Sequence, residues 1–173
     1  YRTSHVDGER LVADPRTGAT GYTGSRNAGL KLKKAADAVG KPIYLELSST
    51  NPVVILPGAL EERLEAIADD FSSSCLMGAG QFCTNPGIVV LIAGERTERF
   101  ITEVSQRFEK AAVGTLLSKS VETNLQSNLS ALRTAGAELV VGDSAGQGTG
   151  YCRANTLLRT SGATFLASAE ALQ

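Results

Sequence analysis

The sequence has few of the residues that mark several common classes of protein. Its 173 residues include no tryptophan, one histidine (His5) and three cysteines. A single histidine leaves no His/Cys cluster of the kind that binds zinc, so no metal site is predicted. The cysteines are odd in number and have no CxxC spacing. They therefore predict thiols in a reducing, cytoplasmic setting rather than a disulfide framework.

The sequence also has a small net charge and no long apolar run. Seventeen basic and eighteen acidic residues give a net charge of −1. This balance provides no electrostatic footprint for nucleic acid or for an anionic membrane surface. No apolar run approaches the roughly 18 residues of a membrane-spanning helix. The opening residues, YRTSHVDGER, are too polar for a signal peptide. We expect neither a nucleic-acid nor a membrane partner.

Helical and strand-like patterns alternate along the chain. A first helix is predicted to end near Pro15. Apolar residues at helical spacing predict four more helices, at 27–40, 59–77, 97–112 and 121–136. Short apolar or alternating runs predict strands at 19–25, 41–49, 87–94 and 137–142. This order favours an α/β fold with a parallel sheet, in which the strand at 87–94 is covered on both faces. The glycine-dense stretch 142–150 predicts a mobile hairpin loop rather than a phosphate-binding loop.

Cys83 lies where the backbone can be neither ordinary helix nor ordinary strand. The surrounding sequence is GAGQFCTNPG, with glycines before the cysteine and Pro86 after it. Such a segment can direct a thiol and a backbone N–H into one cavity, as the addition of sulfur to a carbonyl requires. Cys75, by contrast, falls within an apolar helical stripe. The spacing alone is equally consistent with Cys83 as a nucleophile and as a buried core cysteine.

Two further features carry weaker signals. Glu46 lies between two leucines in a predicted strand, where glutamate is disfavoured. By itself this position favours a solvated carboxylate over a general base. The stretch YTGSRNAG, residues 22–29, places glycine and serine between a strand and a helix. It can present N–H groups and a hydroxyl to a phosphate at the helix N-terminus, or it can simply connect the two elements.

The succession of YTGSRNAG, LELSSTNP and GQFCTNPG resembles the aldehyde dehydrogenase superfamily, from about Gly8 to the C-terminus. Within it, LELSSTNPVVILPGAL and GAGQFCTNPGIVV are most similar to the 2,5-dioxovalerate (α-ketoglutaric semialdehyde) dehydrogenases. The resemblance implies oxidation of an aldehyde to its carboxylic acid with NAD or NADP. The implied fold is part of a Rossmann-like cofactor domain, residues 1–52, followed by part of an α/β catalytic domain, residues 53–173.

The resemblance also implies a role for each matching residue. Cys83 would attack the aldehyde to form a thiohemiacetal, which becomes a thioester when hydride passes to the nicotinamide. Glu46 would activate the water that hydrolyses this thioester, and its presence favours hydrolysis over transfer to coenzyme A. Phe82 would line the aldehyde pocket. The cofactor would be contacted by Gly24, Ser25, Gly29 and Leu47.

The sequence departs from the usual family pattern in two ways. Ser48 and Ser49 replace two glycines, and Gly87 replaces an arginine; both changes agree with the 2,5-dioxovalerate subgroup. The chain is also much shorter than family members, so we expect a central piece of a longer, homo-oligomeric enzyme that is inactive alone. The alternative is a truncated, inactive paralogue with a structural or interaction role. An independent thiol hydrolase is disfavoured because only His5 could assist the thiol.

Overall fold

The computed structural model describes residues 3–169, which form two compact units, 3–49 and 50–169. The division falls between Ser49 and Thr50, just before a strand that begins at Asn51. The sequence predicts a domain boundary near Pro52, which lies inside that strand. The assignment of the two units to a cofactor domain and a catalytic domain stays a prediction.

The first unit contains two helices and a pair of parallel strands. Helix α1 spans His5–Ala13 and α2 spans Arg26–Ala38, while β1 is Thr20–Gly24 and β2 is Ile43–Leu47. The strands pair in parallel, as predicted, with Thr23 opposite Glu46 and Gly24 opposite Leu47. Exposed and half-buried residues alternate along β2. This alternation is typical of a strand with one covered face.

The second unit begins with a second parallel pair and continues with longer helices. Its strands are β3, Asn51–Ile55; β4, Pro86–Leu91; β5, Glu138–Val141; and β6, Leu157–Arg159. Its helices are α3, Pro57–Leu76; α4, Glu95–Lys110; α5, Lys119–Thr134; and α6, Gly162–Ala167. β3 pairs with β4 in parallel, and β5 pairs with β6 antiparallel. The stretch 142–150, predicted to be a hairpin loop, lies within the longer connection 142–156 between these antiparallel strands.

The core of the second unit lies between α3, α4 and one face of the β3–β4 pair. Phe71 and Phe100 meet there with their ring centroids 5.9 Å apart and their planes tilted by 56°. This geometry lets the positive edge of one ring approach the face of the other. The buried cluster contains one residue of β3, four of α3 and three of α4: Ile55, Leu60, Leu64, Ala68, Phe71, Phe100, Val104 and Phe108.

Several elements of the structure differ from those that the sequence predicts. β4 was expected to be covered on both faces, yet Val90 is 49% exposed, and Val54 on the paired strand is 63% exposed. The reason is that, among residues 3–169, helices α3 and α4 pack against one face of the β3–β4 pair, and Val54 and Val90 lie on the other face. Strand β3 was not anticipated because Pro52, which lacks an N–H, is disfavoured in strands. β6 and α6 were missed because they are too short to show a periodic pattern.

Within residues 3–169, no helix is both long enough and apolar enough to cross a membrane.

Candidate active site

The segment before Cys83 has a backbone that ordinary residues seldom adopt. Helix α3 ends at Leu76 and is followed by a 3₁₀ turn, Met77–Gly80. Gly78, Ala79 and Gly80 have φ values of 59°, 57° and 71°. Three successive left-handed residues reverse the chain sharply, and glycine takes this conformation at little cost. Only Ala79 does so against its preference. The prediction that this segment is neither ordinary helix nor ordinary strand is confirmed.

Cys83 occupies a tight turn formed by residues 82–85. The N–H of Asn85 donates to the carbonyl of Phe82 at 3.1 Å, so Cys83 and Thr84 form the two central positions. The Cys83 side chain is exposed. Of the two interpretations that the spacing left open, exposure excludes the buried core cysteine, whereas the role of nucleophile stays a prediction.

The other two cysteines have different surroundings. Cys75 is half-buried near the end of α3, and burial raises the pKa of its thiol to about 11. Cys152 is buried, with 5% of its surface exposed. Burial disfavours the charged thiolate that would attack a carbonyl. Exposure therefore distinguishes Cys83 from both of them.

The turn is tied to its surroundings by carboxamide side chains to which the sequence analysis gave no role. The Asn51 amide donates to the carbonyls of Cys83 and Asn85, each at 2.9 Å. The Asn85 amide donates to the carbonyl of Cys75 at 2.8 Å. A signal was available in the sequence, because the tripeptide Thr–Asn–Pro occurs at 50–52 and again at 84–86. The first copy runs into β3 and the second runs into β4, and Asn51 pairs with Pro86 across the two strands.

Gln81 makes a second connection, from the turn to the loop before α5. Its amide nitrogen donates to the carbonyls of Gly78, at 3.1 Å, and Thr115, at 3.3 Å. Its amide oxygen accepts from the N–H of Leu117 at 2.8 Å. Two of these three hydrogen bonds hold the approach to Cys83 against a distant part of the same unit, and the third, to Gly78, is local.

Phe82, the predicted pocket residue, folds back over the 3₁₀ turn. A β-carbon added at Gly78 would lie 2.7 Å from Cε2 of the Phe82 ring, so the ring occupies space that only glycine leaves open. The Phe82 side chain is nevertheless 54% exposed. The structure places this aromatic residue beside Cys83 in the chain, and its contact with a substrate stays a prediction.

The residues predicted to bind a cofactor lie together in the first unit. Ser25 caps α2, and its hydroxyl accepts from the N–H of Ala28 at 3.3 Å. A β-carbon at Gly24 would lie 2.5 Å from the Tyr22 hydroxyl, and one at Gly29 would overlap Cδ2 of Leu47. The two glycines thus allow close approach where β1 passes into α2, and Leu47 packs against the second of them.

This junction fits the diphosphate of a dinucleotide. The first turn of α2 contains no acidic residue, and Arg26 is its first residue. The leading N–H groups of a helix have no acceptor within the helix, and the helix dipole favours an anion there. An acceptor-rich phosphate can therefore be held by these N–H groups and the Ser25 hydroxyl.

Glu46 lies in the same unit, next to the carboxyl end of β2. It is exposed, on the face of the strand opposite Ile43, Leu45 and Leu47. Ligands of parallel α/β sheets commonly bind at the carboxyl ends of strands. The exposed position matches the interpretation that the residues alone favoured, a solvated carboxylate. The role of general base remains a prediction.

Comparison with known proteins gives a family match over almost the whole chain. The model of the aldehyde dehydrogenase family matches residues 3–170. Alpha-ketoglutaric semialdehyde dehydrogenase 2 of Azospirillum brasilense is 45% identical over 118 residues, which cover 67% of this chain and 22% of that protein. Alpha-ketoglutaric semialdehyde dehydrogenase of Acinetobacter baylyi is 35% identical over 127 residues, covering 72% and 24%. The chain thus matches less than a third of the length of these curated relatives.

Solved structures agree with the fold. Succinic semialdehyde dehydrogenase from Streptococcus pyogenes, in complex with NADP+, superposes with a TM-score of 0.76 at 25% identity, over 90% of this chain and 36% of that one. Betaine aldehyde dehydrogenase from Staphylococcus aureus, in complex with NAD+, has a TM-score of 0.81 at 18% identity, over 96% and 34%. The second likeness concerns the fold alone, and both confirm the predicted partial α/β fold.

Proposed function

Because the chain belongs to the aldehyde dehydrogenase family, we propose that the full-length protein carrying it oxidises an aldehyde to a carboxylic acid with NAD or NADP. The observation that carries this proposal is the exposed Cys83 in a turn held by hydrogen bonds from the carboxamides of Asn51 and Asn85. A thiol nucleophile needs both access to the substrate and a defined direction of attack.

In this proposal Cys83 is the nucleophile. Its thiolate adds to the carbonyl carbon and forms a thiohemiacetal, while its own backbone N–H helps to hold the developing oxyanion. The dinucleotide, when bound, supplies the hydride acceptor that the oxidation requires. Once hydride has been lost, Cys83 carries the acyl group as a thioester.

Glu46 is assigned to the second half of the reaction. As a general base it takes a proton from water, which attacks the thioester carbon. The carbon–sulfur bond then breaks, the carboxylic acid leaves and the Cys83 thiolate is restored. This role depends on the match of LELSSTNP to the family motif and on the position of Glu46 beside the carboxyl end of β2.

The remaining residues bind and orient. Gly24, Ser25 and Gly29 form the diphosphate site at the start of α2, and Leu47 contacts the nicotinamide region through its backbone. The first unit would then serve as part of the cofactor domain and the second as part of the catalytic domain. Phe82 lines the aldehyde pocket.

The proposed substrate is a short aldehyde that carries a carboxylate, with 2,5-dioxovalerate oxidised to 2-oxoglutarate. The similarity to two alpha-ketoglutaric semialdehyde dehydrogenases supports this choice. We further propose a cytoplasmic homo-oligomer, a setting in which three thiols would stay reduced.

The test is an assay of the full-length protein on a panel of aldehydes, followed by the absorbance of reduced nicotinamide. We expect the highest kcat/KM with 2,5-dioxovalerate, loss of turnover in Cys83→Ala and retained turnover in the control Cys75→Ala. Equal or better kcat/KM with long aliphatic or aromatic aldehydes would reject the substrate. A wild-type protein without turnover on any aldehyde would favour the alternative of an inactive paralogue.

A further inference from the structure

Asn51 joins the start of β3 to the turn that contains Cys83. Both hydrogen atoms of its amide nitrogen are used, one on the Cys83 carbonyl and one on the Asn85 carbonyl, at 2.9 Å each. Because both partners are carbonyl oxygens, only the nitrogen of the carboxamide can face the turn. The orientation of this side chain follows from its partners.

These two hydrogen bonds hold the main-chain carbonyls of the residues before and after Thr84. The turn is closed by the Asn85 N–H on Phe82, and the Asn85 side chain is anchored to the Cys75 carbonyl at the end of α3. The exposed turn is thereby connected to a strand on one side and to a helix on the other. An exposed turn without such connections would sample several orientations of the thiol.

We propose that Asn51 is a positioning residue for the nucleophile, because its carboxamide fixes the main chain of the turn 82–85 that carries Cys83. The proposal rests on the proposed function, since it concerns the orientation of the attacking thiol. The Cys83 carbonyl and its N–H flank the same Cα. A donor that fixes the carbonyl therefore also limits where the side chain and the oxyanion-binding N–H can point.

Two substitutions in the full-length protein separate the loss of the two hydrogen-bond donors from the repulsion between oxygen atoms. Asn51→Leu keeps nearly the same size but removes both donors. Asn51→Asp keeps the shape but sets carboxylate oxygens against two carbonyl oxygens. Asn124→Asp is the matched control, because Asn124 is exposed on α5 and the change in charge is the same. Steady-state kinetics are measured beside hydrogen–deuterium exchange of peptides covering residues 82–87 and α4.

We expect at least about tenfold faster exchange in the 82–87 peptide of both Asn51 variants, with α4 unchanged. The value of kcat should fall at least about tenfold in Asn51→Asp and by less in Asn51→Leu. The KM for NAD(P) should stay within about threefold, because the proposed cofactor residues lie in the first unit. Asn124→Asp should match the wild type throughout.

Three outcomes would overturn the proposal. The first is exchange at 82–87 that stays at the wild-type rate in both Asn51 variants, and the second is faster exchange with unchanged kcat. The third is equally faster exchange in α4, which would indicate general loosening. If Asn51→Asp does not fold, Asn51→Leu decides alone. Failure of the proposed function is distinguishable, since it appears as a wild-type protein without turnover, while the exchange measurement still tests the hold on the turn.

Discussion

Leu47 fills the space that any side chain at position 29 would need. A β-carbon at Gly29 would overlap Cδ2 of Leu47 and would lie 3.2 Å from Cε1 of Tyr22. Gly29 is accordingly buried in α2, with its N–H donating to the carbonyl of Ser25 at 3.0 Å. This close contact connects β2, β1 and the capped end of α2, where we propose the diphosphate binds.

The first prediction is that Gly29→Ala destabilises the protein although alanine is the better helix former. The overlap with Leu47 should outweigh the gain in helix propensity and lower the free energy of unfolding by about 1–3 kcal/mol. NAD(P) binding should weaken as well, because the first turn of α2 is displaced. Gly58→Ala, in a helix with no atom within 4 Å of the added β-carbon, is the control and should be neutral or stabilising. Thermal unfolding and calorimetry of the full-length protein measure both effects, and equal behaviour of the two variants would contradict the argument.

The second prediction separates the two halves of the proposed reaction. Glu46→Gln should still give a burst of reduced nicotinamide and then stall, because loss of the base affects hydrolysis of the thioester more than its formation. Stopped-flow absorbance measures the burst and the later steady rate. Glu62→Gln, on the exposed side of α3, is the matched control. A steady rate equal to that of the wild type in Glu46→Gln would remove Glu46 from the mechanism.

The third prediction ranks the thiols. Cys83 should react first with limiting iodoacetamide, because it is exposed while Cys152 is buried. Burial raises the pKa of Cys75 to about 11, so at pH 8 only about one Cys75 in a thousand is thiolate. Mass spectrometry of the digested protein gives the order of modification. Prior reaction of Cys75 or Cys152 would show that exposure does not control reactivity here.

The fourth prediction concerns the pKa of Asp14. The Arg16 guanidinium donates to both carboxylate oxygens at 2.8 Å, and with the Arg16 backbone N–H at 3.0 Å it lowers this pKa to about 2. A lowered folded-state pKa stabilises the fold above the unfolded value near 4, and this stabilisation is lost as the pH falls toward 2. Arg16→Ala should raise the pKa only part of the way, because the backbone donor remains. Carboxyl carbon shifts followed through an NMR titration test this, with Arg10→Ala expected to leave Asp14 unchanged.

The fifth prediction concerns the isolated 173-residue chain. We expect it to be inactive and poorly folded, because Val54 and Val90 leave an apolar sheet face in water and burial must offset about 1–2 kcal/mol of backbone entropy per residue. The expected results are a broad thermal transition and weak NAD(P) binding in calorimetry. A sharp cooperative transition with micromolar binding would show that the chain is self-sufficient.

The sequence by itself determined helices α1 to α5, four of the six described strands and the irregular segment around Cys83. An apolar stripe such as that of α3 indicates which side of a helix is buried. The glycines at 78 and 80 indicate a left-handed backbone that other residues seldom adopt. These are local properties, since they depend on neighbours within about one or two turns of chain. The family motif around Cys83 and Glu46 is equally local.

Only the tertiary structure decided what holds the turn. Asn51 and Gln81 reach carbonyls 32 to 34 residues away, and no local pattern shows which distant carbonyl an amide will meet. The exposed face of β4 has the same origin, because coverage of a strand depends on what packs against it. Strand β3 was missed for a related reason. A strand tolerates a proline such as Pro52 where the pairing requires no N–H at that position, and the pairing is decided only when distant segments meet.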